Sequence, residues 1–186
     1  RVLAGEEFTK DQLVNAKGKD VLVIGGGDTG SDCIGTAHRQ GSKSVTQIEI
    51  MPRPVDGPDD PKNPWPNWPR TLKTTFAHEE GCVRRWNINS LEFIGKNGKV
   101  TGVKVQEIKW EPNPDGGRPI MKPAKDPEII KADMVLLAMG FLRPTQPQFP
   151  ANVFAAGDAA NGASLVVRAL ASGRDIAAKV DDYLNK

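Results

Sequence analysis

The residues of this chain best suited to chemistry by type and spacing are those of Gly25-Gly26-Gly27-Asp28-Thr29-Gly30. Gly25, Gly27 and Gly30 keep the G-x-G-x-x-G pattern: the first glycine permits a tight turn, the second lets backbone approach a pyrophosphate, and the third allows close helix-to-strand packing. A phosphate needs hydrogen-bond donors and positive potential, and the free N–H groups of a helix start supply both. Two further side chains bear on which nucleotide fits. Glu49 lies nineteen residues after Gly30, where a carboxylate can hold an adenosine ribose 2′-hydroxyl, whereas Arg53 can neutralise a 2′-phosphate. The two argue in opposite directions. Arg39, Lys62 and Arg70 are secondary candidates for phosphate contacts. Gly140 follows the apolar run Asp133–Met139 and lets backbone pass close to a cofactor. Asp158 stands after Val153–Ala156 and Gly157, where it can hold a ribose or ribityl hydroxyl while a later helix start faces a polar cofactor edge.

These groups need elements to position them. Val21 to Ile24 is a continuous aliphatic run, as expected for a central parallel strand, Asp20–Ile24, covered by helices on both faces. A helix follows over Thr29–Gln40, ended by Gly41, and a second strand over Val45–Ile50 closes a βαβ unit. Ahead of these, Thr9–Asn15 reads as a short helix capped by Thr9. Met51–Arg70 is too rich in proline for a helix or a central strand and reads as an ordered loop carrying Trp65 and Trp68. Leu91–Gly95 and Lys99–Trp110 read as strands joined at Lys96-Asn97-Gly98, and the Pro/Gly-rich stretch Pro112–Pro127 separates them from Ile129–Ile130. Asp133–Met139 and Val153–Ala156 are further strands, and Ser164–Asn185 is a long helix. The fold class is α/β: a Rossmann-like nucleotide-binding domain with a parallel sheet and a small antiparallel insertion.

Composition narrows the function. The chain has 186 residues, of which 26% are charged, yet its net charge is only +2, and no basic run interleaved with aromatics suggests a nucleic-acid surface. No apolar stretch approaches a membrane span and no secretory leader is evident, so the expected location is cytoplasmic. Cys33 and Cys82, with only His38 and His78 as further soft ligands, give neither a disulfide framework nor a metal or iron–sulfur site. Cys33 is read as a packing residue.

The segments VLVIGGGDTGSDCIGTAHRQG, IEIMPRP, NPWPNWPR, AHEEG, AMGF and VFAAGDAANGASLVVRALASGRDIA resemble the C-terminal part of the glutamate synthase small (β) subunit family. That family belongs to a group of flavoproteins with two dinucleotide-binding domains, in which an FAD domain is interrupted by an NAD(P)H domain. The resemblance implies that Gly25, Gly26, Gly27, Asp28, Thr29 and Gly30 bind the nicotinamide nucleotide, that Gly157 and Asp158 match the flavin-binding pair, and that Ser164, Leu165 and Val166 begin a helix facing the flavin. It further implies NADPH, with NADH as the alternative, as hydride donor. FAD is implied as acceptor in the complete protein, and a large glutamate synthase subunit as partner. The FAD domain's own first βαβ unit and the family's cysteine clusters have no counterpart here. Phe141–Pro150 is a short connection, and Ala159-Ala160-Asn161 replaces a more basic tripeptide.

The expected organisation is therefore an NAD(P)H-binding domain over 1–140 and a C-terminal remnant of an FAD-binding domain over 141–186. The expected function is that of a glutamate synthase small-subunit fragment that binds NAD(P)H but has little autonomous dehydrogenase activity. No residue is assigned a catalytic role. The apolar face of the last helix is expected to dock on the nucleotide domain or on a second chain. Two other function classes stand beside this: a nucleotide-binding or partner-binding module without redox activity, and a related flavoprotein reductase with another electron acceptor.

Overall fold

The aliphatic run after Asp20 forms β1 (Asp20–Ile24), the most deeply buried strand among the described residues. The structure, a computed structural model, describes residues 4–9, 12–57, 71–142, 145 and 149–185. Two compact units divide the chain, residues 1–140 and 141–186.

In the first unit, β1 leads through the glycine turn into α1 (Asp28–Arg39) and then β2 (Ser44–Ile48). A short α2 (Phe76–Glu79), β3 (Val83–Arg85), β4 (Ile88–Lys96), β5 (Lys99–Glu111), β6 (Ile120–Pro123), β7 (Glu128–Lys131) and β8 (Met134–Leu137) follow. One sheet is parallel, in the order β3-β2-β1-β8. The other is antiparallel, in the order β4-β5-β6, with β7 also paired to β5.

Alternation along β1 explains the layering. Val21 and Val23 pack with Val45 against Ile34 and Ala37 of α1. Leu22 and Ile24 point the other way and pack with Ile48 against Ile88, Val103 and Val105 of the antiparallel strands. The parallel sheet thus has a helix on one face and a second sheet on the other, which corrects the expectation of helices on both. A fully covered side chain such as Leu22 or Ile48 contributes roughly 1.5–3 kcal/mol. At the opposite edge from the glycine turn, Asp20 accepts from Lys43 Nζ at 3.0 Å and Ser44 Oγ at 2.6 Å, and its N–H donates to Asp133. These bonds tie β1, β2 and β8 together at their amino ends.

Most sequence boundaries hold within two residues, and the departures have identifiable causes. The described residues of Thr9–Asn15 contain a turn rather than a helix, closed by the Gln12 N–H on the Thr9 carbonyl. β6 lies inside the stretch read as an interruption; its proline, Pro123, stands at the strand end, where a missing N–H costs least. β4 begins at Ile88, before the expected Leu91, and carries register irregularities at Ser90/Glu92 and Ile94/Gly95. Among the described residues of Met51–Arg70, Val55 forms an isolated bridge to Thr71 just beyond the loop; Lys62, Trp65, Trp68 and Arg70 lie outside the described residues.

Thr75 and His78 cap α2 locally. The Thr75 N–H donates to His78 Nδ1 at 3.1 Å, and Thr75 Oγ1 lies 2.5 Å from Ser31 Oγ on α1. Burial first, and then the Arg84 charge, push the His78 pKa below the usual histidine value. The neutral ring is the form that accepts this bond, so its contribution is complete above about pH 6.5 and is lost as pH falls through the lowered folded-state pKa. Thermal melts at pH 7.5 and 5.0 are expected to show an acid-induced drop that shrinks by about 2–4 °C in His78→Gln, matching a bond worth roughly 1 kcal/mol.

In the second unit, α3 (Gly157–Asn161) and α4 (Val166–Leu184) are linked by the Ser172 hydroxyl, which accepts from the Gly157 N–H at 3.0 Å and lies 3.1 Å from Asn161 Nδ2. Phe154 meets Tyr183 edge-on, with ring centroids 5.6 Å apart. The expected strand Val153–Ala156 is extended at Ala156 but has no ladder among the described residues, because no strand of this unit lies beside it.

Candidate functional site

In open α/β sheets a ligand site forms beyond the carboxyl ends of the strands where strand order reverses. Here β2 and β3 extend to one side of β1 and β8 lies on the other, so the reversal falls at β1. A crevice of about 530 Å³ opens there, lined by Gly25, Gly26, Gly27, Glu49, Asn89 and Gly140 together with apolar residues of the strand ends. The structure therefore gathers five of the sequence-derived candidates into one place.

The turn is built so that only one of its glycines faces open space. At Gly25, φ is +120° and a Cβ would overlap the Ala138 carbonyl, so the β1 turn passes directly against the chain leaving β8. At Gly30 a Cβ would overlap the Gly25 carbonyl, and at Gly26 it would overlap the Glu49 carboxylate. At Gly27 a Cβ would meet nothing within 4 Å. Gly27 is also the N-cap of α1, in ordinary extended conformation, with Asp28 and Thr29 exposed in the first turn. Backbone N–H groups and the positive end of α1 thus border an unfilled approach. Gly140 (φ +82°) has equally open surroundings.

Glu49 directly follows β2 and is held by its backbone, its N–H on the Arg85 carbonyl and its own carbonyl accepting from the Ile88 N–H, each at 2.9 Å. Trp110 of β5 braces the next residue through its indole N–H on the Ile50 carbonyl at 3.1 Å. The Glu49 carboxylate is only 19% exposed and lies 3.7 Å from Arg84 Nη2. Burial raises its pKa above the usual carboxylate value against the opposing pull of Arg84 and Trp86. The Trp86 indole N–H faces this carboxylate yet makes no hydrogen bond of standard geometry. Arg53 does not line the crevice. Its guanidinium lies 5.5 Å from the Trp86 ring centroid and makes two 2.9 Å bonds to Asp56, while Arg84 lies 5.1 Å from the same centroid.

Three participants in this arrangement escape motif reading: Gln47, Arg84 and Trp86. Gln47 is fully buried; it donates to the Gly25 carbonyl at 3.0 Å and accepts from Arg84 Nε at 3.0 Å. A lone amide in the otherwise apolar face of a strand was the available signal. Arg39 is corrected as a phosphate candidate: it sits at the far end of α1 from the turn and pairs with Glu80. In the second unit, Gly157 and Asp158 open the short helix α3, which corrects their expected place between a strand and a later helix, while Ser164 precedes Leu165, the N-cap of α4, and Val166 begins it.

Fold and turn together define an α/β domain whose glycine turn is of the dinucleotide-binding type. The pyridine nucleotide-disulphide oxidoreductase family matches residues 2–148, and the chain belongs to that family. It is 40% identical over 194 aligned positions to the glutamate synthase [NADPH] small chain of Mycobacterium tuberculosis, covering 92% of this chain and 38% of that one. Against glutamate synthase [NADH] of Saccharomyces cerevisiae it is 36% identical, covering 90% of this chain and 9% of that one. The chain thus spans well under half the length of these relatives. Among solved structures, Mycobacterium tuberculosis FprA in complex with NADPH shares the fold, with a TM-score of 0.63 at 15% identity over 92% of this chain and 54% of FprA. No helix among the described residues is long and apolar enough to cross a membrane.

Proposed function

We propose that residues 1–140 form the NAD(P)H-binding domain of a larger flavoprotein oxidoreductase of the glutamate synthase small-subunit type, and that residues 141–186 supply a C-terminal piece of its FAD-binding domain. The complete protein then passes hydride from NADPH to FAD, and electrons onward to a large subunit that makes glutamate. The observation that carries this reading is the glycine turn: closed against backbone at Gly25 and Gly30, it is open only at Gly27, on the crevice side and beside a helix start.

The residues present fit a dinucleotide. Backbone N–H groups at Gly27–Thr29 would hold the pyrophosphate, the strand-end residues Ile24, Ile48 and Met139 supply apolar walls, and Gly140 leaves room for close approach. A bound reduced nicotinamide supplies hydride, and a flavin accepts it. That transfer needs two rings in near contact, so we expect the purified chain to bind nucleotide while oxidising NADPH only slowly. Gly157, Asp158 and the Ser164-Leu165-Val166 helix start are assigned to the flavin side.

NADPH is the donor favoured by the naming of the 40%-identical relative and by two guanidinium groups, Arg53 and Arg84, around Trp86. NADH is the second reading, favoured by the Glu49 carboxylate against Gly26. Calorimetric and tryptophan-fluorescence titrations with NADPH and NADH test the proposal. Micromolar binding of at least one is expected; protein that is colourless and binds neither overturns it.

A further inference from the structure

Gln47 is out of place by the logic of the core. It occupies the α1-facing side of β2, in line with Val45, where a valine or isoleucine would pack without polar requirements. Both ends of its amide are in use, and the two partners belong to different parts of the crevice. Nε2 donates to the carbonyl of Gly25, the first residue of the glycine turn. Oε1 accepts from Nε of Arg84, whose Nη1 reaches the Lys73 carbonyl and whose Nη2 faces the Glu49 carboxylate. Gly30 makes room for this arrangement, since its missing Cβ would sit 3.3 Å from Gln47 Nε2.

We infer that Gln47 is a positioning residue for the dinucleotide: it fixes the Gly25 carbonyl at the phosphate end and, through Arg84, the Glu49 carboxylate at the adenosine end, setting the spacing between the two. This inference rests on the proposed nucleotide site. The physical basis is that a buried amide satisfied at both ends has one geometry, so the turn and the guanidinium cannot move independently. Removing the amide leaves the Gly25 carbonyl and Arg84 Nε without their partners, and both relax toward other acceptors and donors.

The test uses the full chain with Gln47→Met, which is close in volume and apolar, and Arg84→Met, with NADPH and NADH titrated separately at a temperature well below each variant's melting point. Gln47→Met is expected to weaken both nucleotides about tenfold, because the turn they share is loosened. Arg84→Met is expected to weaken both nucleotides, because Gln47 loses its second partner, and to lower the NADPH-to-NADH affinity ratio at least threefold, because the guanidinium also stands at the adenosine end. A merely structural role would lower the melting temperature of Gln47→Met and leave both affinities unchanged, and that result overturns the inference. Should Gln47→Met fail to fold, Arg84→Met carries the test: weakened NADH as well as NADPH supports the coupling of guanidinium to turn through Gln47, and unchanged NADH binding overturns it. Failure of the unsubstituted chain to bind either nucleotide overturns the proposed function and this inference with it, whereas normal binding by the unsubstituted chain with unaltered variants overturns this inference alone.

Discussion

Gly27→Ala is expected to leave the protein folded and to weaken nucleotide binding at least tenfold, whereas Gly25→Ala is expected to destabilise the fold itself. The two positions are separated by a single residue, and the contrast follows from what surrounds each. Gly27 has φ −81° and ψ −173°, a conformation any residue adopts, and an added methyl meets no protein atom within 4 Å. The cost to the free protein is that of a poorer N-cap, about 0.5–1 kcal/mol. The methyl would nonetheless stand in the one open approach to the helix start, where a pyrophosphate must come close enough to accept backbone hydrogen bonds. At Gly25, φ is +120° and the added methyl would overlap the Ala138 backbone carbonyl, which is held by β8 pairing to β1. Strain and overlap together are expected to cost about 3 kcal/mol or more. Chemical denaturation and calorimetric titration of the two variants separate these outcomes. A Gly27→Ala protein that binds NADPH and NADH normally would show that the pyrophosphate lies elsewhere.

What was legible in the sequence was local. The apolar run of β1, the glycine spacing and the length of α1 lie within one βαβ unit, so pattern and structure agree within a residue at every boundary from the start of β1 to the start of β2. The site depends equally on contacts that sequence spacing does not encode. β3 is three residues long and contains two arginines, so nothing in its pattern marks a strand, yet its pairing to β2 brings Arg84 to Gln47 and Glu49. Trp86 and Arg53 meet only because the loop after β2 folds back over the end of β3. The reverse error occurred at Val153–Ala156, where an apolar run suggested a strand: a strand is defined by its neighbour, and its own unit provides none among the described residues. Helices on both faces of the parallel sheet were the common solution for buried parallel strands, but in this chain the residues between β3 and β8 build a sheet that covers one face instead.

Nucleotide preference is expected to turn on Glu49, with Glu49→Gln raising the NADPH-to-NADH affinity ratio at least tenfold. The carboxylate is largely shielded from water and stands against the glycine turn. A 2′-phosphate approaching to about 5 Å would meet a like charge worth roughly 3 kcal/mol at an effective dielectric near 20. Arg84 offsets part of that, and about 1.4 kcal/mol of surviving repulsion is already a factor of ten. Glutamine removes the repulsion, and NADH loses a charge-assisted bond from its 2′-hydroxyl, so the two affinities move in opposite directions. Arg53→Ala should act the other way, weakening NADPH several-fold and sparing NADH. Its pair with Asp56 is exposed on both sides, 48% and 68%, so it holds the guanidinium by no more than about 1 kcal/mol and releases it readily to a phosphate. Ionic strength distinguishes the two contributions: the Arg53 effect should fade between 50 and 500 mM salt, roughly as exposed charges are screened, while the shielded Glu49 effect persists. If neither substitution changes the ratio by twofold, the adenosine end of the nucleotide does not lie at the end of β2, and the orientation proposed for the dinucleotide across the crevice is wrong.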